Sequence, residues 1–202
     1  MRIGFIGPAD GNHALLREAA EFLLGDAEVE RVIYLGQDGA LTRVADEWAA
    51  EIAEWATDRA GFFDRALQIA LDGDAAAIRA LLEADRSLER LGSLRTLPPV
   101  PTRAIEMIDD RIVTVVWDKD VLTEGDIANS MLLVYGRSDQ DLLKRFGRRY
   151  FFTPGPLSSH KVAVFEATAD GIAASMFAPS GAPLWSEQLV TPRKNPRVTV
   201  AP

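Results

Sequence analysis

The chain has 202 residues, 48% of them hydrophobic and 26% charged, which fits one soluble domain large enough to bury a core of its own. Its net charge of −8 argues against generic DNA or RNA binding, because affinity for phosphate backbones comes from clustered Lys and Arg. There is no cysteine, so disulfides, thiolate nucleophiles and Cys-based zinc sites are excluded.

The opening MRIGFIGPADG has no basic region leading into an apolar stretch and a cleavage site. No run approaches the roughly 18 apolar residues of a membrane-spanning helix. A soluble cytoplasmic protein without membrane contact is the expectation. Arg2 to Ile6 reads as a short buried strand ended by Gly7-Pro8, and a helix follows from Asn12 to Leu24 with Leu15, Leu16, Ala19, Phe22 and Leu23 on one stripe. Gly25-Asp26 closes it, and Val29 to Leu35 gives a second strand ending at Gly36. Strand, helix and strand with short turns predict a parallel β-α-β unit, with any ligand at the carboxyl ends of the strands.

Residues 41–91 read as a helical insertion. Leu41, Val44, Ala45, Trp48, Ile52 and Trp55 recur at helical spacing, followed by Phe62, Phe63, Ala66, Leu67 and Ile69. Asp72-Gly73-Asp74 breaks the pattern and caps a further helix carrying Ile78, Leu81 and Leu82. TLPPVP, from Thr96 to Pro101, must be extended. Beyond it the period shortens, and strands are predicted at 104–108, 111–117, 131–135, 150–153, 161–168, 171–178 and 183–189. Asp109-Asp110 and Asp170-Gly171 read as hairpin turns. A short helix is expected over Asp139 to Phe146, with Lys144, Arg145, Arg148 and Arg149 as its solvated end. The tail from Pro192 to Pro202 reads as a polar segment with a final edge strand.

The order of these pieces resembles the small bacterial and archaeal phosphodiesterases of the calcineurin-like metallophosphoesterase superfamily. That family opens with a strand and Asp-x-His-Gly-Asn before a helix, then a strand ending in Gly-Asp. Later come Gly-Asn-x-Asp, His-Gly, Gly-His-x-His and Asn-Pro-Gly-Ser. Here the matching pieces are RIGFIGPADGN, YLGQD, LLVYGRSDQ and YFFTPGP. Gly11, Asn12, Gly36, Gly136, Pro154 and Gly155 stand where the family has them, and the likeness covers residues 1–40 and 96–190. The resemblance implies an α/β fold: an αββα sandwich of two mixed sheets flanked by helices, in one domain spanning 1–202 with the insertion at 41–91.

The family's metal ligands do not carry over. Its first Asp falls on Pro8 and its first His on Asp10. The bridging Asp falls on Gln37, a neutral amide that cannot offset two dications. Gly-Asn-x-Asp is matched only by Gly92-Ser93-Leu94-Arg95, His-Gly falls on Trp117-Asp118, and Gly-His-x-His places Arg137 and Asp139 at its two histidines. The chain's two histidines, His13 and His160, align with no ligand position. The expectation is therefore a catalytically degenerate protein with no metal or cofactor.

The vestigial cleft comprises Pro8, Asp10, Asn12, Gln37, Asp38, Trp117, Asp118, Arg137 and Asp139. Arg137 and Lys119 are expected to pair with aspartates and fill it. One hard cation such as Mg²⁺, Mn²⁺ or Ca²⁺ on aspartate oxygens is an alternative. Another is an anion at the helix start after Asp10-Gly11-Asn12, assisted by Arg137. His13 as a general base and Ser158-Ser159-His160 as a nucleophile pair are weak motifs, without a positioned third group. Trp48 and Trp55 share a helical face that serves either packing or a partner. The functional expectation is a protein-binding or scaffold module acting on another protein or on itself. The alternatives are a phosphodiesterase or phosphatase with an atypical metal site and a phosphate or nucleotide sensor.

Overall fold

The computed structural model describes residues 1–52, 59–72 and 74–190. Trp55 and the tail from Pro192 onward, for which a shared face and an edge strand were expected, lie outside the described residues.

β1 (Arg2–Ile6), α1 (His13–Leu24) and β2 (Arg31–Tyr34) form the anticipated unit, with β1 and β2 parallel and Ile6 opposite Tyr34. Side chains alternate across a strand, and the alternation here separates two cores. Ile3, Phe5, Ile33 and Leu35 face a second sheet. Ile6, Val32 and Tyr34 face the helices. The insertion supplies α2 (Ala40–Ile52), α3 (Arg59–Asp72) and α4 (Ala75–Leu91), and the Asp74 carboxylate caps α4 by accepting from Ala76 N at 2.7 Å. Leu41, Val44 and Leu91 seat the insertion on the outer face of the first sheet, with Trp48 packed partly buried beside them.

The periodic reading overstates the burial of α3. Phe63 and Leu67 are 63% and 61% exposed, while Ile69 is buried.

The rest of the chain is β3 (Leu94–Thr96), β4 (Ala104–Ile108), β5 (Arg111–Val116), α5 (Glu124–Asn129), β6 (Leu132–Tyr135), β7 (Leu142–Phe146), β8 (Arg149–Thr153), β9 (Val162–Thr168), β10 (Gly171–Phe177) and β11 (Pro183–Val190). Six strands form one sheet in the order β11-β10-β9-β1-β2-β3, and five form the other as β4-β5-β6-β8-β7. Both are mixed, with parallel pairs β1–β2 and β2–β3 in the first and β5–β6 and β6–β8 in the second. The sheets meet through Phe5, Phe152 and Phe165, whose rings stack edge-on at 5.6 and 4.8 Å. With α1, α2 and α4 outside one sheet and α5 against the other through the Thr114–Ser130 hydrogen bond of 2.6 Å, this is the αββα sandwich that the resemblance implies.

One local expectation is corrected, and two elements are added that the sequence did not suggest. The segment expected as a helix over Asp139 to Phe146 contains strand β7, paired antiparallel with β8 from Leu142↔Thr153 to Phe146↔Arg149. Gly147, at a φ of 64°, makes the turn that folds it back, and Phe146 packs edge-on against Phe151 at 5.4 Å. Lys144, Arg145, Arg148 and Arg149 accordingly sit on this hairpin and not at a helix end. α5, which the sequence reading passes over, is held by a capping box between Thr123 and Asp126. β3 is a three-residue strand parallel to β2, just before the proline segment. Among the described residues no helix is long and apolar enough to cross a membrane.

Candidate functional site

The carboxyl ends of β1, β2, β5, β6 and β8 converge, and glycines let their backbones touch. A Cβ on Gly7 would stand 1.8 Å from Gly155 O, and one on Gly136 would stand 2.3 Å from Leu35 O and 2.8 Å from the Trp117 ring. No side chain fits at either position. Leu157 N donates to Pro8 O at 2.8 Å, Leu35 N to Ile6 O at 2.8 Å, and Arg137 N to Trp117 O at 2.7 Å. The frame that would carry a strand-end site is therefore closely joined by main chain alone.

On the β1–β2 side the polar groups serve the fold. Tyr34 is fully buried, and its hydroxyl accepts from Ala9 N at 2.9 Å and donates to Asp38 Oδ1 at 3.0 Å. The same Asp38 oxygen accepts from Ala40 N at 3.0 Å, so it caps α2. Burial, with the Asp38 carboxylate nearby, pushes the Tyr34 phenol well above the ordinary tyrosine range. Gln37 donates from Nε2 to Pro98 O at 2.9 Å, tying β2 to the proline segment. Pro8 is buried, and Asp10 is exposed at a φ of 50°. Asn12 caps α1, its Oδ1 accepting from Leu15 N at 3.1 Å, while His13 N donates to Gly11 O. Two of the helix-start N–H groups on which an anion would depend are thus already bonded.

The β5–β6 side is open. Asp118, Lys119, Asp120, Tyr135, Arg137 and Asp139, with Ser138 and Gln140, line a polar cleft of about 700 Å³. Arg137 Nη1 donates to Asp118 Oδ2 at 2.5 Å, and Asp118 Oδ1 accepts from Asp120 N at 3.0 Å. These two contacts, the backbone N–H first, hold the Asp118 carboxyl below the usual carboxylate range. Arg137 is raised by the same pairing. Among the described residues Lys119 makes no ion pair with an aspartate. Its Nζ lies over the Tyr135 ring at 5.9 Å. Asp139 is exposed at the cleft wall.

The nine residues singled out from the sequence therefore divide. Asp118, Arg137 and Asp139 line this one cleft, whereas Pro8, Asp10, Asn12, Gln37 and Asp38 are not among its lining residues. Trp117 stands between the two groups, half-buried against the core between the sheets and under Gly136. His160 is exposed at a φ of 55°, and Ser159 Oγ donates to Pro156 O at 2.7 Å, not to the imidazole. The Ala9–Tyr34–Asp38 link was missed by sequence reasoning. Its only signal was a tyrosine at a strand end four residues before an acid that precedes a helix.

The donors present do not fit a dinuclear metal site. Of the positions where the resemblance places ligands, Pro8, Gln37, Trp117 and Arg137 carry a ring, an amide, an indole and a guanidinium, Asp10 and Asp139 carry carboxylates, and the neighbouring Asp118 already has Arg137. Among the described residues no group of three or more His, Cys, Asp or Glu is placed to hold a metal ion.

No protein-family profile matches the chain, and no curated protein matches it in sequence. Solved structures do. Vacuolar protein sorting 29 from Cryptosporidium parvum matches with a TM-score of 0.55 at 10% identity, over 94% of this chain and 98% of its own. A Streptococcus pneumoniae protein described as a predicted phosphoesterase matches with a TM-score of 0.52 at 10% identity, over 93% and 97%. A novel archaeal phosphodiesterase matches with a TM-score of 0.52 at 14% identity, over 88% and 100%. The chain has the calcineurin-like metallophosphoesterase fold.

Proposed function

We infer that this protein is a non-catalytic member of its fold class that works as a binding or scaffold module, for another protein or for a second copy of itself. The observation that supports this most is the replacement of the metal-donor set at strand ends whose backbone frame is retained. Pro8 and Trp117 offer no ligand atom, Gln37 brings no charge, and Arg137 would repel a cation. Of the carboxylates nearby, Asp38 caps α2 and Asp118 is bound to Arg137. The same architecture is seen in proteins named as phosphoesterases and in one named for vacuolar protein sorting, so fold alone does not dictate hydrolysis.

The test is metal content together with hydrolysis of a generic phosphodiester in added Mn²⁺. The expected result is no stoichiometric metal and no turnover above the blank. Bound metal with turnover abolished by Asp10→Ala or Asp139→Ala would establish a phosphodiesterase with an atypical site and end this reading. An inert protein whose melting rises with nucleotide, but not in Arg137→Ala, would instead make the β5–β6 cleft a phosphate sensor.

A further inference from the structure

Among the described residues four strands stand at sheet edges: β11, β3, β4 and β7. An uncovered edge offers unpaired N–H and C=O groups to other chains, so edges are usually short, charged or blocked by proline. β3 has three residues, one of them the exposed Arg95. β7 exposes Lys144 and Arg145, and β11 begins at Pro183 and exposes Ser186, Glu187 and Gln188. β4 is different. On its outer face Ile105 and Met107 are 55% and 50% exposed, and Ile112 beside them on β5 is 36% exposed. Its one charged residue, Glu106, lies on the opposite face and pairs with Arg31.

The free hydrogen-bonding groups of β4 can be assigned. In an antiparallel pair the residues alternate between bonding each other and pointing away. Ile112 O accepts from Met131 N, and Val116 O accepts from Gly136 N, both on the β6 side. The even positions of β5 therefore point away from β4. Ile112 lies opposite Met107 and Thr114 opposite Ile105, so Ile105 and Met107 direct their own N–H and C=O to the open edge. Among the described residues neither makes a backbone bond to a neighbouring strand there.

We propose that β4 is a self-pairing edge: two copies of the chain join antiparallel through it, about a two-fold axis at Glu106, into one continuous sheet. A two-fold contact must be self-complementary, and this one is. Ile105 meets Met107 of the second copy with bonding groups facing, and Ile112 extends the apolar face on both sides. Arg103 and Asp109, beyond the two ends of β4, keep their own partners, Asp126 and Arg111. Slipping the register by two residues either way leaves one facing apolar pair, Ile105 with Ile105 or Met107 with Met107, in place of two. The Glu106 carboxylates that meet at the axis each carry their Arg31 guanidinium. The proposal supplies the self-association half of the functional reading but does not depend on the cleft, so a dimer and a metal assay fail independently.

Sedimentation velocity of the full chain over a concentration series tests it. A reversible monomer–dimer equilibrium is expected. Met107→Pro removes only an outward N–H and is tolerated by β4–β5 pairing, yet weakens association by roughly tenfold or more. Ile105→Lys does the same with unchanged circular dichroism. A protein that stays monomeric throughout the series, or a dimer indifferent to both Met107→Pro and Ile105→Lys, overturns the proposal.

Discussion

The β1–β2 and β5–β6 strand ends differ in what their polar groups do. At β1 and β2 the groups are engaged by the fold: Tyr34 holds Ala9 and Asp38, Asp38 holds α2, and Gln37 holds the proline segment. At β5 and β6 the carboxylates and Arg137 stand around an open polar cleft. The contrast teaches that one backbone frame can carry polar groups engaged by the fold on one side and polar groups lining an open cleft on the other. Close glycine contacts keep the frame, because any side chain there would break the fold. The donors face no such constraint.

The contrast can be broken most forcefully at the frame. Gly7→Ala puts a methyl group within 1.8 Å of Gly155 O, where main chain on both sides cannot yield. Chemical denaturation should show a loss of about 3 kcal/mol or more. A change close to zero would mean the loops are not joined as described.

Tyr34→Phe ranks next. It leaves the buried Ala9 N–H without its partner, and a loss of about 1–3 kcal/mol is expected. The pH dependence sharpens this prediction. The folded state holds the phenol above its ordinary value of 10.0, so above that pH the unfolded chain carries fewer protons than the folded one. Stability from this group is whole below pH 10 and falls as pH rises beyond it. Thermal melts between pH 9 and about 11 should fall more steeply for the wild type than for Tyr34→Phe.

On the open side the effects are small. Arg137 is largely exposed, and Arg137→Ala should leave the melting temperature almost unchanged at neutral pH. A large drop would mean that this half is locked as well, and the comparison would fail.

What the sequence disclosed, and what it did not, follows physical lines. The β1-α1-β2 unit and the β9–β10–β11 meander were legible because alternation and turn residues agree at every step. β7 was not. Leu142, Leu143 and Phe146 satisfy helical spacing as well as strand pairing, and only Gly147 in a left-handed turn decides between them. α5 has a single large apolar residue, Ile127, so its cap carries more information than its periodicity. Within the site, Gly136 and Gly155 could be placed by position. The partners of Tyr34, Gln37 and Lys119 could not, because each depends on where a strand end lies relative to a loop distant in sequence.

The central claim is that the frame persists without a metal site, and calorimetric titration of the full chain with Mn²⁺ and Zn²⁺ at neutral pH tests it most directly. Heats of dilution alone are expected. Saturable, stoichiometric binding that disappears in Asp139→Ala would contradict it.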